Sequence, residues 1–261
     1  MQIPNRVVLI TGASEGIGAA CAREFARCGA KLILTARSEA GLRRVAEASG
    51  AHDVLVAPGD ITDDAQRRAI VELARERFGA IDILINNAGT GLYAPAWAAQ
   101  MEDARRLMEL NFFAPLALTQ LIAPGMRERK SGLIVNVGSI ATKVTLPWMT
   151  LYSTSKFALG SLTEGLRMEL RASGVRTMIV CPGYVKTGFQ EHVLYGQAPE
   201  SVIKGRRFAI EPWQCAEAIR RGVERDARTV VTPRMGWALV IASRLFPGLI
   251  EAKLAGMNGT A

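Results

Sequence analysis

The sequence is poor in residues that hold metals. It contains four cysteines and two histidines, namely Cys21, Cys28, Cys181, Cys215, His52 and His192. No two cysteines form a CxxC pair, so no metal site is predicted.

Residues 1–6 show no signal-peptide pattern and run straight into an apolar segment, so we expect a reducing, cytoplasmic location.

Runs of one charge are also missing. The chain has 32 lysines and arginines against 24 aspartates and glutamates, which gives a net charge of +8. Positive charge favours anionic partners, but no run of five or more basic residues occurs. The pattern therefore indicates solvated basic faces, and we expect no nucleic-acid partner.

Long hydrophobic runs are absent as well. The strongly apolar stretch 235–250 is shorter than the ~20 residues that a membrane-spanning helix needs. Arg234, Arg244 and Lys253 flank or interrupt it, which is typical of a helix that lies in a membrane interface. Packing against the domain or a sister subunit is the interpretation we favour, with peripheral membrane contact through 235–250 as the alternative.

What the sequence does contain is an alternation of short apolar runs and longer amphipathic segments. The apolar runs predict strands at 7–11, 31–36, 53–57, 81–86, 133–137, 175–181 and 228–231. The amphipathic segments predict helices at 16–28, 38–49, 63–78, 101–129, 152–172 and 212–223, the fourth bent near Pro115. The strands lack polar–apolar alternation, which indicates burial on both faces. This order predicts an α/β protein with a parallel, doubly wound sheet.

Residues 184–211 lose this periodicity. They contain Gly188, Gly196, Pro199 and Gly205. A loop of this length in a compact domain usually covers a functional site, so we predict a substrate lid at about 184–211. No repeat, low-complexity stretch or linker is present, and we predict a single domain over residues 1–261.

A glycine-rich turn follows the first predicted strand. Gly12, Gly16 and Gly18 stand in a G-x-x-x-G-x-G spacing between a buried strand and a helix. Glycines let backbone N–H groups approach a pyrophosphate, and the helix N-terminus adds partial positive charge. We therefore predict a dinucleotide site that includes Gly12, Ser14, Glu15, Gly16, Ile17 and Gly18. A tight turn without a ligand is the alternative.

The end of the second predicted strand indicates which dinucleotide binds. NAD enzymes of this architecture place an acid here for the ribose 2′-hydroxyl, but this chain has Ala36 followed by Arg37. A guanidinium suits a 2′-phosphate, and Ser14 offers a hydroxyl donor, although Glu15 adds a negative charge. We therefore predict NADP(H). Alternatively, Arg37 is only a solvated residue at the start of a helix.

Asp60 and Ile61 follow the third predicted strand. The Asp60 carboxylate can accept a hydrogen bond from the adenine amino group, which adds both residues to the predicted cofactor site. It can equally cap the next helix, as can Thr62 and Asp63.

Tyr152 and Lys156 stand four residues apart, which places them on one face of a helix. A phenol titrates near ~10, and a nearby ammonium favours the phenolate. The pair therefore predicts an acid–base group that works near neutral pH, with Ser139 bonded to the substrate oxygen. Alone, the Y-x-x-x-K pattern is common, and most such pairs lie on protein surfaces.

Together these motifs resemble those of the short-chain dehydrogenase/reductase family, in its single-domain form. The matching motifs are Thr11-Gly12-x-x-x-Gly16-x-Gly18, Asn86-Asn87-Ala88-Gly89, Asn111, Ser139, Tyr152-x-x-x-Lys156 and Pro182-Gly183-x-x-x-Thr187. They occur in the family's order and spacing, closely over residues 6–190. The resemblance implies a Rossmann-like three-layer αβα sandwich with a parallel sheet of about seven strands.

The resemblance also implies roles for catalytic residues. Tyr152 would exchange a proton with the substrate oxygen, and Lys156 would lower the tyrosine pKa and bind the nicotinamide ribose. Ser139 would stabilise the developing alkoxide. Asn111 would hold a water that links Lys156 to solvent. Alternatively, Asn111 satisfies helix backbone and Ser139 caps a strand end.

Further cofactor contacts are implied in the same way. They are expected from Asn87, Ala88, Gly89, Pro182, Gly183, Val185 and Thr187. The cofactor supplies the hydride chemistry and the protein supplies orientation and proton transfer. The family usually pairs through its long helices, here 101–129 and 152–172, so a homodimer or homotetramer is expected.

The substrate should bind at the carboxyl ends of the strands. Its expected contacts are Ser139, Tyr152, Trp148, Met149 and Tyr184, and the other candidate lining residues are Leu92, Tyr93, Leu146, Phe189 and Leu194. Most are apolar, which favours a steroid, lipid or acyl ketone as substrate. Some of these residues can instead belong to the core.

Two rival functions make different demands on the sequence. A dinucleotide-binding regulator without turnover needs the glycine turn but neither Tyr152 nor Lys156. A sugar-nucleotide epimerase or dehydratase resembles a T-G-x-x-G-x-x-G spacing and carries a larger C-terminal domain. The motifs here favour an NADP(H)-dependent oxidoreductase acting on a carbonyl/alcohol pair.

Overall fold

The computed structural model describes residues 1–197 and 208–256. The strands are β1 (Val7–Thr11), β2 (Lys31–Thr35), β3 (Val54–Val56), β4 (Ile83–Asn86), β5 (Gly132–Val137), β6 (Val175–Pro182) and β7 (Thr229–Thr232). The helices are α1 (Gly16–Arg27), α2 (Glu39–Ser49), α3 (Asp64–Phe78), α4 (Met101–Met108), α5 (Ala114–Glu128), α6 (Thr150–Glu169), α7 (Pro212–Glu224), α8 (Gly236–Leu245) and α9 (Pro247–Gly256).

All seven strands pair in parallel, in the order β3-β2-β1-β4-β5-β6-β7. The chain first winds outward from β1 to β3 and then returns to β4 on the other side of β1. The predicted Rossmann-like, doubly wound α/β fold is therefore confirmed. The order reverses between β1 and β4, which is where ligands bind in open parallel sheets.

Each face of the sheet carries a layer of helices, because the strand side chains are apolar on both sides. One core cluster joins Val8 and Ile10 of β1 to Phe25 of α1 and Ile219 of α7. The other joins Leu9 of β1 to helices α3 and α5, through residues such as Ile70, Leu118 and Ile122. The architecture is thus a three-layer αβα sandwich.

The predicted helix 101–129 is interrupted at a different place from the one expected. A π-helical turn, Glu109–Phe113, separates α4 from α5, and Pro115 lies just inside the start of α5. The extra residue in the turn, and not the proline, breaks the α-helical pattern. An 18-residue window within Met101–Glu128 is apolar enough to cross a membrane, but Leu118 and Met126 are core residues, which is typical of a buried helix.

The apolar stretch 235–250 forms α8 and most of α9. Val240 is the only buried residue of α8, and α9 contributes none. The favoured interpretation, packing against the domain, therefore holds for a single face of α8. Residues 198–207, in the predicted lid, lie outside the described residues, and so do residues 257–261.

Candidate active site

The carboxyl ends of β1 and β4 are joined by a small hydrogen-bond network. The Thr11 hydroxyl accepts bonds from the backbone N–H groups of Asn87 and Ala88, both at 3.0 Å. The Asn87 amide donates to the carbonyls of Thr11 and Gly12 at 3.0 and 3.2 Å. This network fixes the crevice at the point where the strand order reverses.

The glycines of the turn are required by close backbone approaches. A Cβ at Gly18 would lie 2.2 Å from the carbonyl oxygen of Gly12, and one at Gly12 would lie 2.9 Å from Cα of Ala88. Gly12 and Gly16 also have positive φ angles of 63° and 55°, which other residues rarely adopt. A side chain at these positions would push the turn apart.

The N-terminus of α1 fits a bound phosphate. Its N-cap residue, Glu15, makes no side-chain capping bond. The first N–H groups of a helix have no partner within the helix, so an anion at this end would satisfy them. The turn thus has the geometry and the donors that a dinucleotide pyrophosphate requires.

Arg37 lies at the edge of this crevice, directly after β2. Its guanidinium is exposed and makes no hydrogen bond or ion pair with any described residue. Ser14 lies against the first turn of α2, because its Cβ is 2.9 Å from where a Cβ on Gly41 would stand. The chain therefore offers an unpaired cation after β2 and a hydroxyl beside the start of α2.

Asp63, and not Asp60, takes the helix-capping role that the sequence left open. The Asp63 side chain caps α3 by accepting from the N–H of Gln66 at 2.8 Å. Asp60 instead accepts from the backbone N–H and hydroxyl of Thr62, at 2.9 and 2.8 Å. Ile61 is buried. Adenine contact by Asp60 stays a prediction.

Tyr152 and Lys156 are one helical turn apart on α6, and both are buried, with 7% and 4% of their surface exposed. The surface alternative for this pair is therefore excluded. Nζ of Lys156 donates to the carbonyl of Val137 at 3.1 Å and lies 5.8 Å from the centre of the Tyr152 ring. Burial lowers the pKa of Lys156 to about 8.

Burial also dominates the ionisation of Tyr152. It raises the pKa of the phenol to about 12, against the hydrogen bond with Ser139, which lowers it, while the nearby Tyr93 raises it slightly. The lowering of this pKa by Lys156, predicted from the sequence, is wrong here, because burial dominates and the ammonium is bonded to the Val137 carbonyl. A phenol held neutral in this way is a proton donor.

Ser139 has a capping role, and its contact with the substrate oxygen stays a prediction. Its hydroxyl accepts from the N–H of Ala141 at 3.1 Å and so caps the short 3₁₀ helix Ile140–Thr142. The same side chain lies near enough to the Tyr152 phenol to lower its pKa, against the larger effect of burial. The cap after β5 therefore fixes the serine beside the phenol.

Asn111 lies in the π-helical turn and is fully buried. Its amide oxygen accepts from the N–H of Thr90 at 2.9 Å, and its amide nitrogen donates to the carbonyl of Thr90 and the hydroxyl of Ser155, both at 3.0 Å. It therefore satisfies the backbone of a neighbouring loop, not of its own helix. The predicted water relay through Asn111 stays a prediction.

The described part of the predicted lid lies across the site. Phe189 meets the Tyr152 ring edge to face, with the ring centres 5.9 Å apart. The Thr90 hydroxyl donates to the carbonyl of His192 at 2.7 Å, and Nε2 of His192 lies 2.9 Å from a Glu15 carboxylate oxygen. Sequence reasoning missed Thr90, Ser155 and His192, since no local pattern signals such long-range pairs.

The segment after β6 reaches over the glycine turn, as expected for a cofactor cover. Its backbone is held by bonds from Gly183 N–H to the Thr232 carbonyl and by the pairing of Val185 with Ile210. The Thr187 methyl would lie 3.1 Å from a Cβ on Gly16. Pro182 ends β6 itself.

The candidate substrate residues divide into two groups. Leu92, Tyr93 and Met149 are buried in one apolar cluster with Tyr152, against which Leu146, Phe189 and Leu194 pack. Trp148 and Tyr184 are half-buried, and Trp148 has a positive φ of 62°.

Residues 1–197 and 208–256 contain no group of three or more potential metal-ligating side chains.

Comparison with known proteins agrees with this site. A family model described as short chain dehydrogenase matches residues 6–197. The chain is 33% identical to dehydrogenase/reductase SDR family member 7B of Danio rerio, over 95% of this chain and 84% of that protein.

Two solved structures share the fold. One is a short chain dehydrogenase/reductase from Burkholderia phymatum in complex with NAD, with a TM-score of 0.86, 27% identity, and coverage of 95% of this chain and 96% of that one. The other is a short chain dehydrogenase from Burkholderia cenocepacia in complex with NADP, with a TM-score of 0.81, 29% identity, and coverage of 97% and 99%. With the site built from its family's motifs, the chain belongs to the short-chain dehydrogenase/reductase family of nicotinamide-dinucleotide oxidoreductases.

Proposed function

We propose that the chain is an NADP(H)-dependent oxidoreductase that interconverts a ketone or aldehyde with its alcohol, with Tyr152 as general acid and base. The observation that carries this proposal is the burial of Tyr152 and Lys156 one turn apart on α6, with the Ser139 side chain beside the phenol. A dinucleotide-binding regulator has no use for this costly pair, so the same observation disfavours that alternative.

The residues of the chain would manage the proton in this reaction. NADPH, when bound, supplies the hydride. The neutral Tyr152 hydroxyl donates its proton to the carbonyl oxygen, while Ser139 orients that oxygen and stabilises its developing negative charge. Lys156, within 5.8 Å of the phenol ring centre, then stabilises the phenolate. In alcohol oxidation the phenolate accepts the proton.

Preference for NADP(H) is supported by Arg37. Its guanidinium has no competing partner among the described residues, so it is free to bind a 2′-phosphate. Ala36 stands where an acid would repel that phosphate. The opposing charge of Glu15 is engaged by His192, which moderates its repulsion.

We expect Arg37→Ala to raise the KM for NADPH about ten- to a hundredfold, because charge-assisted hydrogen bonds contribute about 1.5–3 kcal/mol. The KM for NADH should stay within about twofold, since NADH has no 2′-phosphate. Arg44→Ala removes another exposed arginine, on α2, and serves as the control. Equal loss with both cofactors would contradict the role of Arg37.

An apolar substrate is supported by the cluster around Tyr152. Leu92, Tyr93 and Met149 pack with the phenol, and Phe189 lies on its ring edge. Buried apolar walls favour ligands whose hydrocarbon parts leave water. A lipid, steroid or acyl ketone fits these walls better than a short polar carbonyl compound.

We expect kcat/KM with NADPH to be at least about a hundredfold higher for 2-decanone than for hydroxyacetone, because each buried CH₂ contributes ≈ 0.8 kcal/mol. NADPH absorbance at steady state gives both values. A preference for hydroxyacetone would contradict the apolar substrate, and no turnover across a wider ketone panel would contradict the enzymatic function itself.

We also propose a homodimer or homotetramer formed through α4–α5 and α6, in the cytoplasm. The outer faces of these helices expose large apolar side chains, namely Met101, Phe113, Phe157 and Met168. Phe157 also lines an open depression of ≈ 490 Å³ on α6. The molar mass from light scattering tests the oligomer, and cell fractionation tests the location.

A further inference from the structure

The two C-terminal helices, α8 and α9, expose a continuous apolar surface. Trp237, Ile241 and Leu245 follow at intervals of four residues on α8 and are 39%, 52% and 66% exposed. Phe246 and Leu249, also exposed, extend this stripe towards α9. We call these five residues the apolar stripe. An apolar row of this length on the outside of a domain indicates an interaction surface.

The stripe is not the remainder of a core contact. Val240 is the buried residue of α8, and together with the half-buried Leu239, Ala242 and Ser243 it forms the inner face of the helix, which is turned away from Ile241 and Leu245. The domain therefore holds α8 by one face and leaves the apolar stripe pointing outward. A soluble surface helix normally has the reverse arrangement, with polar residues outside.

The charges beside the stripe identify the kind of partner. Arg234, Arg244 and Lys253 are exposed, and none has an ion pair or a side-chain hydrogen bond within residues 1–197 and 208–256. The carboxylate on these two helices is Glu251. The apolar stripe contains a tryptophan and has unpaired cations at its edges. This arrangement complements a surface with an apolar interior and an anionic outer layer.

A second copy of the chain complements this surface less well. Symmetric pairing would place the same patch on both sides of the interface, so the three cations of one copy would approach those of the other. Within the described helices α8 and α9, Glu251 is the one carboxylate that could offset them on each side. An anionic phospholipid surface supplies both the apolar depth and the opposite charge.

The helix pair also lies at the edge of the sheet that holds the active site. A Cβ on Gly236, at the start of α8, would lie 2.8 Å from Val231 of β7 and 3.4 Å from Ile140, the residue after Ser139. This attachment fixes the direction in which α8 leaves the domain. A surface bound to the stripe would therefore approach the end of the molecule where the substrate is expected.

We propose that the C-terminal helix pair docks the protein onto an anionic phospholipid surface. The side chains of the apolar stripe enter the boundary between headgroups and acyl chains, and the three cations contact headgroup phosphates and carboxylates. This docking is reversible and does not require the catalytic residues.

Flotation with vesicles tests the proposal. We expect the full-length protein to bind vesicles of phosphatidylcholine with about a third phosphatidylserine at least about tenfold more tightly than pure phosphatidylcholine vesicles, because each basic residue near an anionic surface adds attraction. The difference should shrink at 1 M salt, where the Debye length is about 3 Å. Equal binding to both vesicles, or binding to neither, would overturn the proposal.

Two variants and two matched controls localise the effect. Ile241→Ser/Leu245→Ser and Arg244→Glu should each weaken binding to the anionic vesicles at least about tenfold. All three positions are exposed, so the variants should fold, which thermal unfolding checks. Leu73→Ser and Arg23→Glu make comparable changes at exposed positions on α3 and α1, outside the proposed oligomer surface, and should bind like the wild type.

The same variants distinguish a protein partner from the lipid surface. If the stripe pairs two copies of the chain, Ile241→Ser/Leu245→Ser will lower the molar mass in solution and the wild type will not float with vesicles. That outcome overturns the lipid proposal. Unaltered molar mass together with weaker vesicle binding supports it, whatever the activity of the enzyme proves to be.

Discussion

Tyr152→Phe is expected to lower kcat for ketone reduction about a thousandfold, within the range that general acid–base catalysis supplies. The substitution removes only the hydroxyl, which donates the proton and bonds to Ser139. The ring keeps its contact with Phe189, so the fold should survive. NADPH consumption with a ketone measures the loss, and the affinity for NADPH, from its fluorescence, should change by less than about threefold.

Tyr195→Phe is the matched control, because it removes the same atom from an exposed tyrosine in the lid segment. It should keep activity within about twofold of the wild type. If Tyr152→Phe retains a tenth or more of the activity, another group donates the proton and the proposed mechanism is wrong.

The pH dependence of the two reaction directions follows from the same phenol. Burial raises the pKa of Tyr152 to about 12, so the proton donor for reduction is fully present at neutral pH. Reduction should keep its rate up to about pH 8 and fall above it, because Lys156 then loses the charge that stabilises the phenolate. Alcohol oxidation needs the phenolate, so its rate should rise as the pH approaches the pKa of the phenol. Because bound oxidised nicotinamide is cationic, it should move that rise to lower pH.

The fold was predictable from the sequence because the strand signal is local. Runs such as Val7–Val8–Leu9–Ile10 can be stable only when both faces are covered, which dictates a parallel sheet between helices. The π-helical turn at Glu109–Phe113 was not predictable in this way. It exists where Asn111 reaches Thr90 and Ser155, and contacts over such separations leave no periodic trace.

The active site also combines features that the local sequence predicts with features that depend on the folded chain. Tyr152 and Lys156 are four residues apart, so the helix brings them together whatever surrounds it. Their burial depends on the whole domain, and burial is what sets both pKa values. The contacts of His192 with Glu15 and Thr90 join segments far apart in sequence, and only the folded chain reveals them.

The buried ammonium of Lys156 should lower the free energy of unfolding of the folded chain. Burial lowers its pKa from 10.5 to about 8, so between these values the unfolded chain holds a proton that the folded chain has lost. Stability from this group therefore rises as pH increases through that window, and at pH 7 the buried ammonium costs about 3 kcal/mol.

Lys156→Met should raise the free energy of unfolding at pH 7 by about 1–2 kcal/mol, because the buried charge disappears while the Val137 carbonyl loses its donor. The advantage should shrink by about 2 kcal/mol at pH 10, where the wild-type lysine is already neutral in the folded chain. Ketone reduction should fall at least about a hundredfold, since the phenolate loses its nearest cation.

Urea unfolding at pH 7 and pH 10 measures the gain in free energy of unfolding and its decrease with pH. Lys253→Met provides the control because it removes an exposed lysine. The difference in free energy of unfolding between Lys253→Met and the wild type should be the same at pH 7 and at pH 10. The change with pH isolates the ammonium, since altered packing at position 156 contributes equally at both values. If Lys156→Met is less stable than the wild type by the same amount at pH 7 and pH 10, the lysine carries no burial penalty, and the buried pair ceases to be an argument for catalysis.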